Sequence, residues 1–157
     1  MVSSLALIKK YGNPTENTLK WERENMTVYD VPDVFERMNG FVPKKIYCHR
    51  KFVLPLTLWF QDMATTGVIK EIISWDGCFN IRLKRGARSL SIHSFGMAVD
   101  FNAAHNPLGL TAQQAMARGL KPFSESFNNV ARKYVDCGID WKTRPDGMHF
   151  QIKTIDA

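Results

Sequence analysis

Gly96-Met97-Ala98-Val99-Asp100-Phe101-Asn102 and Met148-His149-Phe150-Gln151-Ile152 decide how this chain folds. Both stretches alternate apolar and polar residues at the period of a strand, where successive side chains point to opposite faces. Met97, Val99 and Phe101 share one face, as do Met148, Phe150 and Ile152. Ala98, Asp100 and Asn102 lie on the opposite face of the first stretch, and His149 and Gln151 on that of the second. A slip of one residue would exchange core and polar faces, so the register is strongly specified. The expected fold class is α+β: a small antiparallel sheet with helices packed on one face and a polar site on the other.

Upstream, Leu56, Trp59, Phe60 and Met63 fall at i, i+3, i+4 and i+7, which predicts a helix within Leu54 to Ile69, with Pro55 in its first turn. Ile69 to Trp75 and Cys78 to Leu83 are expected strands of a hairpin turning at Asp76-Gly77, and Lys84 to Ser89 a basic loop. Downstream, Thr111 with Gln114 forms a capping box for a helix that Gly119 can end. Ser124 caps another, with Phe127, Val130, Ala131, Tyr134 and Val135 as its buried stripe and Gly138 as its stop. Residues 1–50 carry turn signals at Gly12-Asn13-Pro14 and Val31-Pro32-Asp33 and are expected to form an arm of short elements wrapped on the core. A chain of 157 residues suits one domain, here residues 1–157, with no internal repeat.

Lys plus Arg is 21 against 15 for Asp plus Glu, a formal charge of +6 that favours anionic partners: nucleic acid, membranes or the bacterial wall. Charge alone does not choose among them. No apolar run is long enough to span a bilayer. The apolar patch Leu5 to Ile8 has no basic residues before it, so no secretory signal is expected and the chain is expected to be made in the cytoplasm. Cys48, Cys78 and Cys137 are odd in number and far apart, which reads as three buried small hydrophobes and no disulfide framework.

Asp100 and His149 each sit on the non-core face of a short strand, and His93 lies in the loop entering the first, where Gly96 lets the chain fold back. Two imidazoles and a carboxylate, with a fourth position open to water, suit a catalytic zinc ion. The spacing alone leaves open three separate hydrogen-bonded side chains. His105 reads as a loop residue and non-ligand, and His49, beside Arg50 and Lys51, as solvated.

Ser91-Ile92-His93-Ser94-Phe95-Gly96-Met97-Ala98-Val99-Asp100 resembles the Ser-x-His-x-x-Gly-x-Ala-x-Asp signature of the D-alanyl-D-alanine carboxypeptidase family, which includes vancomycin-resistance dipeptidases and phage L-alanyl-D-glutamate endolysins. The family's second element, a carboxylate three residues before a final His, is similar to Asp146-Gly147-Met148-His149 after Trp141. Cys78 to Gly86, with Arg82 and Arg85, looks like its arginine-bearing strand and loop, so the resemblance covers residues 78–152 in the family's order. It implies that His93, Asp100 and His149 bind zinc and that Asp146 is the general base. It further implies that Arg82, or its rival Arg85, binds the oxyanion or substrate carbonyl, and that Ser91 binds substrate or braces the His93 loop.

The resemblance also implies a zinc peptidase acting on bacterial peptidoglycan stem peptides. The small size, the missing signal, the basic surface and Asp instead of Glu at 146 point to the endolysin-type cut between L-Ala and D-Glu, by a monomer reaching the wall during host lysis. A D-Ala-D-Ala carboxypeptidase or dipeptidase is the alternative, and an inactive wall-binding module a further one, which the intact Asp146 disfavours. Lys84, Arg85 and Arg88 support nucleic-acid binding only weakly, for no stacking platform or recognition helix accompanies them.

Overall fold

A computed structural model describes residues 1–155. Its elements are α1 (Ser4–Tyr11), α2 (Thr18–Asn25), β1 (Met26–Asp30), α3 (Asp33–Met38), β2 (Lys45–His49), α4 (Val53–Thr66), β3 (Trp75–Gly77), β4 (Ala98–Phe101), α5 (Ala112–Ala117), α6 (Glu125–Ala131), β5 (Val135–Cys137) and β6 (His149–Ile152), joined by turns of 3-10 helix. Strands β3-β4-β6-β5 form one antiparallel sheet and β1-β2 a second, so the α+β class holds. Among the described residues, no helix is long and apolar enough to cross a membrane.

The helix α4 forms where the periodicity places it. Leu56, Trp59, Phe60 and Met63 are fully buried, and Gly67 ends the helix at φ 85°. Trp59 is the hub: its ring lies 5.0 Å from Phe150, 5.9 Å from Phe101 and 6.2 Å from Phe127, which joins α4, β4, β6 and α6 in one core. Thr111 and Gln114 form the expected capping box on α5, and Ser124 accepts the Phe127 N–H at the start of α6.

Two expectations fail for local reasons, and a third is sharpened. Residues 1–50 form short elements packed on the core, and these are regular: three helices and the β1-β2 ladder occupy them, and Leu7, Trp21, Met26, Phe35 and Ile46 join the main core. Helices of six to eight residues are too short for periodicity to reveal, and packing stabilises them. The hairpin at Asp76-Gly77 does not form. Val68–Glu71 is a 3-10 turn, and β3 pairs instead with Asp100 and Phe101 of β4. Asp76 uses its carboxylate to accept the Ala103 N–H at 2.9 Å, so a tertiary contact outweighs the local turn signal. Helix α6 stops at Ala131, because Val135 to Cys137 pair with β6 as an edge strand that the sequence did not announce.

Candidate metal centre

Strand register makes two of the three candidate ligands neighbours. Asp100 on β4 stands directly opposite His149 on β6, with Val99 opposite Phe150 and Ala98 opposite Gln151. His93 arrives from a 3-10 turn, Ile92–Phe95, that enters β4. Ser91 caps this turn by accepting the His93 N–H at 3.3 Å, and Gly96 closes it at φ 67°. A Cβ on Gly96 would stand 2.6 Å from Met26 Cε and 2.8 Å from the His49 backbone nitrogen, so the position requires glycine for both conformation and space. Met26 and His49 belong to the N-terminal sheet, which therefore buttresses the His93 turn.

His93 Nε2 lies 3.2 Å and His149 Nδ1 3.4 Å from Asp100 Oδ1, and the three donor atoms fall within 4.8 Å of one another. The opposite ring nitrogens are anchored. His93 Nδ1 is 2.7 Å from the Cys78 carbonyl oxygen, which only accepts, so Nδ1 carries the proton. His149 Nε2 is 2.8 Å from Gln151 Oε1, while Gln151 Nε2 donates to the Val2 carbonyl at 3.4 Å and so turns the amide oxygen toward the ring. Both rings thus turn their other nitrogen toward one carboxylate oxygen. His93 Nε2 and Asp100 Oδ1 are buried and have no hydrogen-bond partner. One ligand atom from each of His93, Asp100 and His149, converging within 4.8 Å, fits a cation, and the ring anchors are those that orient metal-bound histidines. Burial raises the Asp100 carboxyl, but the imidazoles of His149 and His93 lower it further, to about 2, so it stays ionised.

The site floors a cavity of about 430 Å³ whose wall includes Arg82, Arg85, Ser91, Trp141 and Asp146. Asp146 Oδ1 is buried with no hydrogen-bond partner. Burial raises the Asp146 carboxyl above its ordinary range, against the lowering influence of His149. The position of Asp146 is set by backbone: its N–H donates to the Gly138 carbonyl at 2.8 Å, and a Cβ on Gly138 would meet the Asp146 carbonyl oxygen at 2.4 Å. Gly138 thus serves this close approach and does not end α6. Trp141 is a cleft wall, its ring 5.1 Å from that of His149. Arg82 is held by its backbone, with its N–H donating to Ser94 Oγ at 3.0 Å and its carbonyl accepting from Ser94 Oγ at 2.9 Å.

The remaining expectations divide. His105 stands apart from the ligand set and accepts the Lys121 N–H at its Nδ1. His49 is not solvated: it is 2% exposed, packed against Tyr11 and Trp21, because β2 runs inward at its end. The cysteines are three free, buried thiols, and burial raises Cys48 and Cys137 to about 12. The polar face of the sheet is also more covered than expected, since the start of the chain lies over Gln151. Gln151 is the residue that the sequence reading left without a role. The signal was available, for it stands two residues after His149 and therefore on the same face.

Residues 85–152 match the family model described as D-alanyl-D-alanine carboxypeptidase. The family read from the signature is the one whose model this segment matches, and the match contains His93, Asp100, Asp146 and His149. It supports a peptidase that acts on the bacterial wall. No curated protein and no solved structure matches the chain.

Proposed function

We propose that the protein is a zinc-dependent peptidoglycan peptidase, acting as a single-domain monomer that cuts stem peptides between L-alanine and D-glutamate. One observation carries this: two anchored imidazoles converge with Asp100, and Asp100 and His149 line a cavity whose wall also holds the half-buried carboxylate of Asp146. His93, Asp100 and His149 would hold the ion. Zinc bound there would supply Lewis acidity to the scissile carbonyl and to water.

The chain's own residues divide the remaining work. Asp146 takes a proton from the attacking water on its carboxylate and returns it to the leaving amine. Its raised pKa suits both transfers, since a general base works best with a pKa near the working pH. Arg82, with Arg85 as its rival on the same wall, donates hydrogen bonds to the carbonyl oxygen as charge develops there. Ser91 braces the His93 turn and reaches the cavity, where its hydroxyl can contact the peptide. Trp141 shields one side of His149 and limits water access.

Asp instead of Glu at position 146 and the basic cavity support the endopeptidase cut. The family description favours a second reading, release of the terminal residue from D-Ala-D-Ala peptides. Digestion of purified peptidoglycan by zinc-loaded protein, with and without chelator, separates the two by mass spectrometry. New L-Ala and D-Glu ends that vanish with chelator are expected, whereas released D-Ala would select the carboxypeptidase. Bound zinc with no cleavage of any wall would leave a binding module.

A further inference from the structure

The start of the chain meets the candidate metal centre. Met1 lines the cavity together with Asp100 and His149. The Val2 carbonyl accepts a hydrogen bond from Gln151 Nε2 at 3.4 Å, and Gln151 Oε1 lies 2.8 Å from His149 Nε2. A backbone carbonyl, a side-chain amide and a ligand ring thus stand in series. The first of them is held firmly. Ser3 caps α1 by accepting the Ala6 N–H at 3.1 Å, and its carbonyl accepts the Leu7 N–H at 3.2 Å. Val2 and Ile8 pack against the core, Ser4 is buried and Leu7 fully so.

Direction matters along this series. His149 turns Nδ1 toward Asp100, so an ion held there would take the Nδ1 lone pair. The proton of the neutral ring then sits on Nε2, which needs an acceptor. Glutamine can turn either end to that nitrogen, because its oxygen and its NH2 group have nearly the same shape and opposite hydrogen-bonding roles. An NH2 group facing Nε2 would require it to accept and would move the ring proton to Nδ1, toward the ion. Gln151 is 2% exposed, so bulk water does not settle its orientation. Among the described residues, the Val2 carbonyl is the one hydrogen-bond partner of that NH2 group. A carbonyl oxygen only accepts, so it favours one orientation alone.

We infer that Met1–Ser3 form a strap that positions His149: the Val2 carbonyl selects the orientation of the Gln151 amide, and that amide holds the ring as a ligand. This rests on the metal-site reading and adds to it a residue far outside the matched segment 85–152. Val2 and Gln151 are positioning residues, since each acts through the next group in the series. The strap makes affinity for the ion depend on the packing of α1. A disturbed start of the chain weakens the site without altering any ligand.

The test measures zinc Kd by competition with a coloured chelator, and the thermal midpoint of the metal-free protein. Four proteins are compared: the full chain, a chain that begins at Ser3, Gln151→Glu in the full chain, and both changes together. Beginning at Ser3 replaces an acceptor with an ammonium group, which only donates. That chain should bind zinc about tenfold more weakly, the lower end of the loss for a histidine's outer partner. In the Gln151→Glu background the same shortening should leave the Kd unchanged, since a carboxylate offers an oxygen at either end. A strap that served stability alone would cost both backgrounds equally, in step with the metal-free midpoint. Equal losses in the two backgrounds, or an unchanged Kd in the shortened chain, overturn the positioning role. Should the shortened chain not fold, Val2→Gly, which frees the strap from the core, takes its place under the same reading. A full chain that binds no zinc ends the metal-site reading and the strap's role with it. Zinc binding that is indifferent to residues 1–2 ends the strap's role alone.

Discussion

Two regions of the molecule bury a histidine with an unpaired ring nitrogen. At the end of β2, His49 accepts the Lys51 N–H at Nδ1, and its Nε2 has no hydrogen-bond partner. At the β4–β6 pair, His93 likewise leaves Nε2 unpaired. The neighbours differ. Around His49 stand the rings of Tyr11 and Trp21, and burial, aided by Arg50 and Lys51, lowers its pKa to about 4. Around His93 stand the Asp100 carboxylate and the His149 ring, their donor atoms convergent. An orphan nitrogen in apolar surroundings is a desolvation cost, whereas orphan lone pairs aimed at one point make a site.

Removing a ligand should have the largest effect. His149→Ala is expected to lose both zinc binding and turnover, while His49→Asn keeps one zinc per chain; metal analysis after gel filtration reads both. If His49→Asn lost the ion and His149→Ala kept it, the contrast between the regions would be inverted. Next in size, Asp146→Ala should bind zinc normally yet lose about 10²–10⁴-fold in kcat, the range for a general acid–base group. Turnover close to wild type in that variant would remove Asp146 from the mechanism.

Gln151 sharpens the contrast: it anchors the His149 ring through a side chain, whereas His49 is held by a backbone N–H. Gln151→Leu is expected to weaken zinc by about 10–100-fold, as loss of a histidine's outer hydrogen-bond partner does. Gln151→Glu, which keeps an acceptor on His149 Nε2, should restore it; competition with a coloured chelator measures both. Equal affinity in the Leu and Glu variants would mean that Gln151 serves packing alone.

The other side of the contrast is read in stability in acid. The folded pKa of His49 lies below its ordinary 6.5, so the unfolded chain takes up this proton first. Its contribution is constant above about pH 6.5 and destabilising as pH falls toward 4, reaching about 3 kcal/mol at full extent. His49→Asn retains an acceptor for the Lys51 N–H and should flatten the difference in urea midpoint between pH 6.5 and 4. An unchanged slope would show that another group sets the acid sensitivity.

Much of the site was legible because its residues sit in alternating strands. Period-two patterning placed Asp100 and His149 on the face opposite Phe101 and Phe150, and the capping residues Thr111 and Ser124 announced their helices correctly. The failures share a cause. Asp76-Gly77 looked like a hairpin turn, Gly138 like a helix stop and His49 like a surface residue, each from its immediate neighbours. Contacts from distant segments, with Ala103, Asp146 and Trp21 respectively, decided otherwise.

By itself the sequence determined the α+β class, the α4 core stripe, the family signature and the faces of Asp100 and His149, because periodicity and caps are local properties of the backbone. Only the tertiary structure decided that the first 50 residues complete the core and buttress Gly96, that Gln151 and the Cys78 carbonyl fix the two imidazoles, and that Arg82, Lys84, Arg85, Lys142 and Arg144 line one cavity. Each of these depends on which distant segments meet. Burial and hydrogen bonding settle that jointly over the whole chain, and no window of sequence contains both partners.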